Sequence, residues 1–204
     1  MIVLRNRVIK AVEWFYICVK MSVKFWWVLI RNFIAYGIAA AIYSIIRYYM
    51  TPNKDRDLHQ SFKDDNKLSL KISGFVSLIA TFLISMWIAF TVLLIRTHSQ
   101  NLIIAVGFWI FAIWSILMLV YLVDLSIVFI TQELASVKSY YINAFVYLVR
   151  MPQITLTIIV LLTLTCIFIM KNAVIAVFIM PGIIAASVCR TYKLILEKEK
   201  FAAK

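Results

Sequence analysis

Residues 72–95 read ISGFVSLIATFLISMWIAFTVLLI and residues 102–123 read LIIAVGFWIFAIWSILMLVYLV, with no charged side chain in either stretch. At 1.5 Å per residue, helices of these 24 and 22 residues are longer than the ~30 Å hydrocarbon core of a bilayer. Only residues 96–101 connect them. The sequence therefore predicts two antiparallel membrane-spanning helices joined by a tight turn.

The composition of the whole chain is that of an integral membrane protein. Of its 204 residues, 64% are hydrophobic and 15% are charged, and the mean hydropathy is +0.95. A soluble domain would be about half apolar and a quarter charged, so a soluble enzyme or nucleic-acid-binding domain is excluded. We attribute the net charge of +12 to cytoplasmic segments and to contact with anionic lipid headgroups, and we expect no nucleic-acid partner.

A second hairpin is predicted between residues 154 and 189. Two apolar stretches, 154–170 and 173–189, have 17 residues each and are separated only by Lys171 and Asn172. Pro181 and Gly182 lie inside the second stretch. We expect them to bend the helix without ending it, because neighbouring helices can satisfy the backbone groups that proline leaves unpaired.

The first 31 residues combine an apolar helix with one narrow polar edge. At 100° per residue, the polar and charged side chains fall on one side of the helix. Because the edge is too narrow for a helix lying on the surface, we expect a helix sunk in the membrane. Its edge would dock on a partner subunit, on lipid phosphates or on a polar cavity of the same bundle, or its cations would snorkel to headgroups. The candidate partner-binding residues are Lys10, Glu13, Lys20, Lys24 and Arg31.

Residues 33–46 form a further uncharged stretch that is too short to cross a bilayer alone. This stretch could pair with the first helix as a shallow hairpin, form a re-entrant piece, or belong to one span that contains Arg31. The basic N-terminus favours the hairpin. Gly37 and Ala41 lie one turn apart, and their small size predicts close helix packing, a role that we also expect for Pro181 and Gly182.

The predicted fold class is therefore all-α: a polytopic helical membrane protein with four spans in two hairpins and an N-terminal pair of an amphipathic and a short helix, which makes five or six membrane helices. Its single membrane domain divides into the helix pair 1–50, a cytoplasmic loop 51–71, a hairpin 72–123, a cytoplasmic connection 124–153, a hairpin 154–189 and a basic tail 190–204. Residues 47–71, which include the loop, hold six Lys or Arg and the tail holds five, whereas each hairpin turn holds one. By the positive-inside rule, loop, tail and both termini are cytoplasmic.

Few residues in this sequence are candidates for a catalytic role. Asp124, at the inner end of the span 102–123, is the one acid that we expect to be buried beside the two hairpins, and neither histidine lies in a span. We expect Asp124 to form a structural ion pair with Lys20 or Lys24, to meet the cytoplasmic interface, or to couple ion movement. The three cysteines show no metal-binding or disulfide spacing. We predict no enzyme activity, no cofactor and no metal site.

Five stretches resemble segments of the YesL-like family, bacterial multi-pass membrane proteins of unknown function. They are FWWVL at 25–29 with GIAAAIY at 37–43, FKDDNKLSL at 62–70, YLVDL at 121–125, NAFVYLVRMP at 143–152, and PGIIA at 181–185. Two family features are missing, namely the Pro-x-x-Thr-x-Gly turn before Gly37 and a proline near Asp124. The resemblance implies an association with carbohydrate importers of the ATP-binding cassette (ABC) type.

Two functions follow as hypotheses. The first is a non-enzymatic accessory or regulatory subunit in the bacterial cell membrane. It would bind the permease subunits of a larger complex, such as a carbohydrate ABC importer, as well as membrane lipids. The alternative is an independent carrier of a small solute or ion, since carriers use discontinuous helices around a polar midplane site.

Overall fold

A computed structural model describes residues 2–51, 58–96, 102–132 and 136–202, and within these ranges all regular structure is helical. The six helices, in chain order, are α1 (Ile2–Arg31), α2 (Phe33–Met50), α3 (Leu58–Arg96), α4 (Leu102–Thr131), α5 (Val137–Arg150) and α6 (Pro152–Ala202). Five segments are long and apolar enough to cross a membrane: residues 33–50, 74–96, 102–131, 152–169 and 176–198. The predicted fold class is confirmed.

The turns between helices follow from local backbone chemistry. Between α1 and α2 the chain reverses at Asn32, and Phe33 adopts a left-handed φ of 52°. Helix α6 has one non-helical residue, Asn172, with φ −157° and ψ 96°. There the helix folds back, so that Ile158 of its first half packs in one cluster with Val188 of its second half. The predicted reversal at 171–172 is confirmed, and of the three alternatives for residues 33–46 the structure shows the favoured one, in which α2 pairs with α1.

Some segments expected to be irregular are helical. Helix α3 begins at Leu58, so most of the predicted loop 51–71 is helix, and α6 extends to Ala202 through the predicted tail. Leu58 and Phe62 have helical i, i+4 spacing, which continues the pattern of the span before its charge-free stretch begins. The connection 124–153 contains the last turns of α4 and the helix α5, which ends at Arg150, two residues before Pro152.

We call the end of the bundle with Arg31, Arg96 and Lys171 the apical end, and the opposite end, with Arg47 and Arg190, the basal end. The basal half holds the largest core cluster, where α2, α4 and both halves of α6 meet. Its fully buried members include Ile46, Val120, Ile127, Ile154, Ile158 and Val188.

The hairpin α3–α4 extends further in the apical direction than the rest of the bundle. The hydroxyl of Thr81 donates to the carbonyl of Ala35, 3.0 Å away. From this contact, α2 continues only two residues to Phe33, whereas α3 continues fifteen to Arg96. At 1.5 Å per residue the difference is roughly 20 Å. Only 6% of the α3 span is buried, compared with 39% of α2.

The reversal of α6 lies close to the height of the α1–α2 turn. The Cys189 thiol donates to the carbonyl of Ile46 at 3.8 Å, which fixes the two helices side by side. Counting residues from this pair places Asn172 about 6 Å further apical than Phe33. The bundle therefore consists of one tall hairpin, α3–α4, and two short hairpins, α1–α2 and α6.

Candidate interaction site on helix α1

Helix α1 presents two different sides from Cys18 onward. Toward α2 and α6 it buries Cys18, Met21, Ser22, Val28 and Leu29. Of the predicted polar edge, Lys10, Glu13, Lys20 and Arg31 are exposed, and Lys24 is half-buried. We call these five residues the α1 edge.

Trp26 binds α6 at its predicted bend. In a helix the N–H of residue 181 would donate to the carbonyl of Val177, but proline has no N–H. The indole N–H of Trp26 donates to this carbonyl instead, at 2.9 Å. The side chain of α1 thus satisfies the backbone acceptor that Pro181 leaves free.

Ser22 binds the same bend one helical turn away. Its hydroxyl accepts a hydrogen bond from the N–H of Gly182 at 2.8 Å and donates to the carbonyl of Ile179 at 3.2 Å. A Cβ at Gly182 would collide with the backbone carbonyl of Cys18. The predicted packing role of Pro181 and Gly182 therefore has a specific form, in which α1 contacts the bend with backbone and side chains.

Ser22 and Trp26 were not candidates from the sequence. The bend at Pro181 predicts that some neighbour must donate to α6, but more than 150 residues separate Trp26 from Val177. Nothing in one sequence identifies that neighbour. The only indication in the sequence that Ser22 and Trp26 contact the bundle is that both lie outside the polar edge of α1.

Gly37 and Ala41 bring α2 close to α1, as predicted from their size. Ala41 is fully buried in a cluster with Val28 and Leu29. A Cβ at Gly37 would lie 2.7 Å from the carbonyl oxygen of Leu29. Only a glycine allows the two backbones to approach this closely.

The basal part of the α1 edge contacts aromatic side chains of α2. The ammonium group of Lys24 lies 5.8 Å from the ring centroid of Tyr48, a distance typical of a cation–π contact. The positive charges of Lys20 and Arg47 are close enough to repel that of Lys24. Arg47 in turn donates to the hydroxyl of Tyr43 at 3.3 Å. This end of the site favours an anionic group.

The part of α1 from Ile9 to Tyr16 is exposed. Its large side chains are 45 to 65% exposed, on all sides of the helix. They are Ile9, Val12, Trp14, Phe15 and Tyr16. With Lys10 and Glu13 they form a surface that is both apolar and charged.

Asp124 lies outside this site. It is 1% exposed, and among the residues that the structure describes neither carboxylate oxygen has a hydrogen-bond partner. The ion pair with Lys20 or Lys24 that the sequence suggested is not formed, because α4 contacts α2, α3, α5 and α6 but has at most a marginal contact with α1. Exposure at the cytoplasmic interface is also wrong for this side chain. The hydroxyl of Thr155, on α6, is likewise buried without a partner.

The remaining chemistry-bearing groups are dispersed. Cys18 and Cys189 are buried and Cys166 is exposed, all as free thiols. Among the described residues, no three His, Cys, Asp or Glu side chains come together as a possible metal site.

No protein-family model, curated protein or solved structure matches this chain. The resemblance to the YesL-like family therefore stays a prediction.

Proposed function

We propose that the protein is a non-enzymatic accessory or regulatory subunit that binds a larger membrane complex through the α1 edge. The observation that carries this proposal is that Lys20 and Arg31 are exposed, while Met21, Ser22, Val28 and Leu29 of the same helix are buried. Lys10 and Glu13 continue the exposed edge toward the N-terminus, and these four charged side chains can contact another molecule.

The position of Arg31 strengthens the case. The α1–α2 turn is roughly 20 Å short of the apical end of α3, so the apical leaflet must thin beside the short hairpins for its headgroups to reach the height of Arg31. Where the leaflet does not thin, the exposed guanidinium group costs several kcal/mol unless polar groups reach it. A partner with an acidic or polar surface would supply these groups.

The partner class follows from the resemblance. The YesL-like family implies an ABC importer for carbohydrates, with its permease subunits as the direct contact. In this proposal the basal end is cytoplasmic in a bacterial cell membrane, since Arg47, Arg150 and Arg190 lie there. Lys138 and Arg150, both exposed on α5, could extend the contact surface on that side.

One observation favours the alternative of an independent carrier. Carriers use broken helices and buried ionisable groups near the midplane, and this chain has Pro181 inside α6 and a buried Asp124 carboxylate with no hydrogen-bond partner among the described residues. Uptake of a solute by liposomes that contain only the purified protein would support the carrier. It would contradict the accessory role.

Site-specific photocrosslinking tests the interface directly. A benzophenone amino acid at Glu13 or Lys20, in the native host membrane, should form adducts with one membrane protein. The matched control position is Ile113, which is 55% exposed on α4. Charge reversal of Lys20 and Lys24 should abolish co-purification of that protein, whereas charge reversal of Lys198 should not. Equal adducts from all three positions, or co-purification that survives Lys20→Glu with Lys24→Glu, would refute the proposal.

A further inference from the structure

An apolar pocket of about 180 Å³ lies where α1, α2, α4 and both halves of α6 converge. Its walls are hydrocarbon side chains and one proline ring, so nothing in it can satisfy a polar ligand. Engineered cavities of about 150 Å³ with similar linings exclude water and bind apolar molecules. The pocket is therefore suited to a hydrocarbon group.

The pocket is closed at its basal side and open at its apical side. The floor consists of buried residues, namely Ile45, Ile46, Val123, Ile158, Ala185 and Val188. The rim consists of half-buried residues, namely Phe25, Ile42, Leu119, Leu162, Pro181 and Ile184. On α2, α4 and both halves of α6, each rim residue lies apical to the floor residues of the same helix. The opening therefore faces the apical side of the bundle, where α1–α2 and α6 are shorter than α3–α4.

The height of the opening matches the length of a lipid chain. Lys171 lies nine residues beyond Leu162 on α6, and Phe33, beside Arg31 at the α1–α2 turn, lies nine residues before Ile42 on α2. Both separations correspond to about 14 Å, close to half of the ~30 Å hydrocarbon core and hence to the depth of one leaflet. Lys171 and Arg31 are exposed cations. A phosphate at their height would place the end of its acyl chain at the rim.

We infer that the pocket binds the acyl chain of an anionic phospholipid from the apical leaflet, with the lipid phosphate at the height of Lys171 and Arg31. The chain end fills space that is otherwise empty, and the lining regains the dispersion contacts that a void loses. Arg31 is the one residue that this lipid site shares with the α1 edge. The lipid site does not depend on the proposed protein partner.

The test uses the purified protein in nanodiscs of phosphatidylethanolamine and phosphatidylglycerol. These discs carry a trace of phosphatidylglycerol with a diazirine at the end of one chain. After irradiation, mass spectrometry should find adducts on the pocket walls at roughly ten times the level on the exposed α4 face around Ile113, because an empty cavity favours occupation. Equal labelling of both surfaces would mean ordinary boundary lipid and would overturn the inference.

Two pairs of variants make the result specific. Leu162→Trp and Leu119→Trp fill the rim and should lower the pocket adducts by roughly tenfold. Leu164→Trp and Leu117→Trp introduce the same ring at the exposed neighbours, 41% and 39% exposed, and should leave the adducts unchanged. Size-exclusion elution and thermal unfolding show which variants are folded. One folded rim variant is enough for the test. Unchanged adducts in a folded rim variant would overturn the inference.

The headgroup is tested with a phosphatidylethanolamine probe that carries the same diazirine. The anionic probe should label the pocket more strongly, and Lys171→Gln should reduce that preference. Equal labelling by the two probes in the unaltered protein would overturn the assignment of an anionic lipid.

Discussion

The indole N–H of Trp26 occupies the hydrogen-bonding position on the Val177 carbonyl that Pro181 leaves empty. Replacing Trp26 by Phe keeps the ring and removes the donor, so the carbonyl loses its partner within the membrane. We expect a loss of about 1 kcal/mol in the free energy of unfolding in mixed micelles. Trp27→Phe is the control, because Trp27 is 68% exposed. Equal effects of the two substitutions would show that the hydrogen bond contributes nothing measurable.

Gly37→Ala should separate α1 from α2. The added methyl group would lie 2.7 Å from the Leu29 carbonyl, and overpacking of this kind costs about 1–3 kcal/mol. Gly74→Ala provides the matched control, because its methyl group would contact only the side chain of Tyr36, at 3.8 Å. Thermal unfolding in detergent measures both. A tolerated Gly37→Ala would contradict the close approach of the two backbones.

Asp124→Asn should leave the stability of the protein unchanged or raise it. The carboxylate is buried without a hydrogen-bond partner, so the substitution breaks no pair and removes a charge that the membrane disfavours. Breaking a buried ion pair would instead cost about 3–5 kcal/mol. Chemical unfolding of Asp124→Asn distinguishes the two cases. A loss of that size would mean that Asp124 has a cationic partner.

The topology prediction is tested by cysteine labelling in intact cells. In a background without the native cysteines, an impermeant maleimide should label Ser99→Cys, in the predicted external turn 96–101, and should spare Ser61→Cys on the basal side. We expect this result because Lys and Arg concentrate in 47–71 and 190–204. The reverse pattern would invert the whole assignment.

The sequence predicts those features of the fold that depend on one helix at a time. The charge-free stretches of α3 and α4 and the polar pair Lys171–Asn172 determine spans and turns locally, and these predictions are confirmed. The polar edge of α1 was also predictable, because helical periodicity alone defines it. Its partner, and the family to which the chain belongs, stay predictions.

Features that depend on two distant helices could not be predicted. The hydrogen bonds of Trp26 and Ser22 to α6 require that α1 crosses the bend at Pro181, and the sequence does not encode that crossing in any local pattern. The isolation of Asp124 is similar. The expected pair with Lys20 or Lys24 is not formed, because α4 has at most a marginal contact with α1.

Two hydrophobic lengths in one small protein have a consequence for the surrounding membrane. Lipids beside α3 and α4 must stretch to cover a long apolar wall, while those beside the α1–α2 and α6 turns must shorten or tilt. The bilayer around the protein therefore slopes from one flank to the other, and each flank carries a deformation cost. Neighbouring proteins with a short span would relieve that cost on one side. The two hydrophobic lengths of this protein therefore favour neighbouring membrane proteins whose spans match the local thickness of the bilayer.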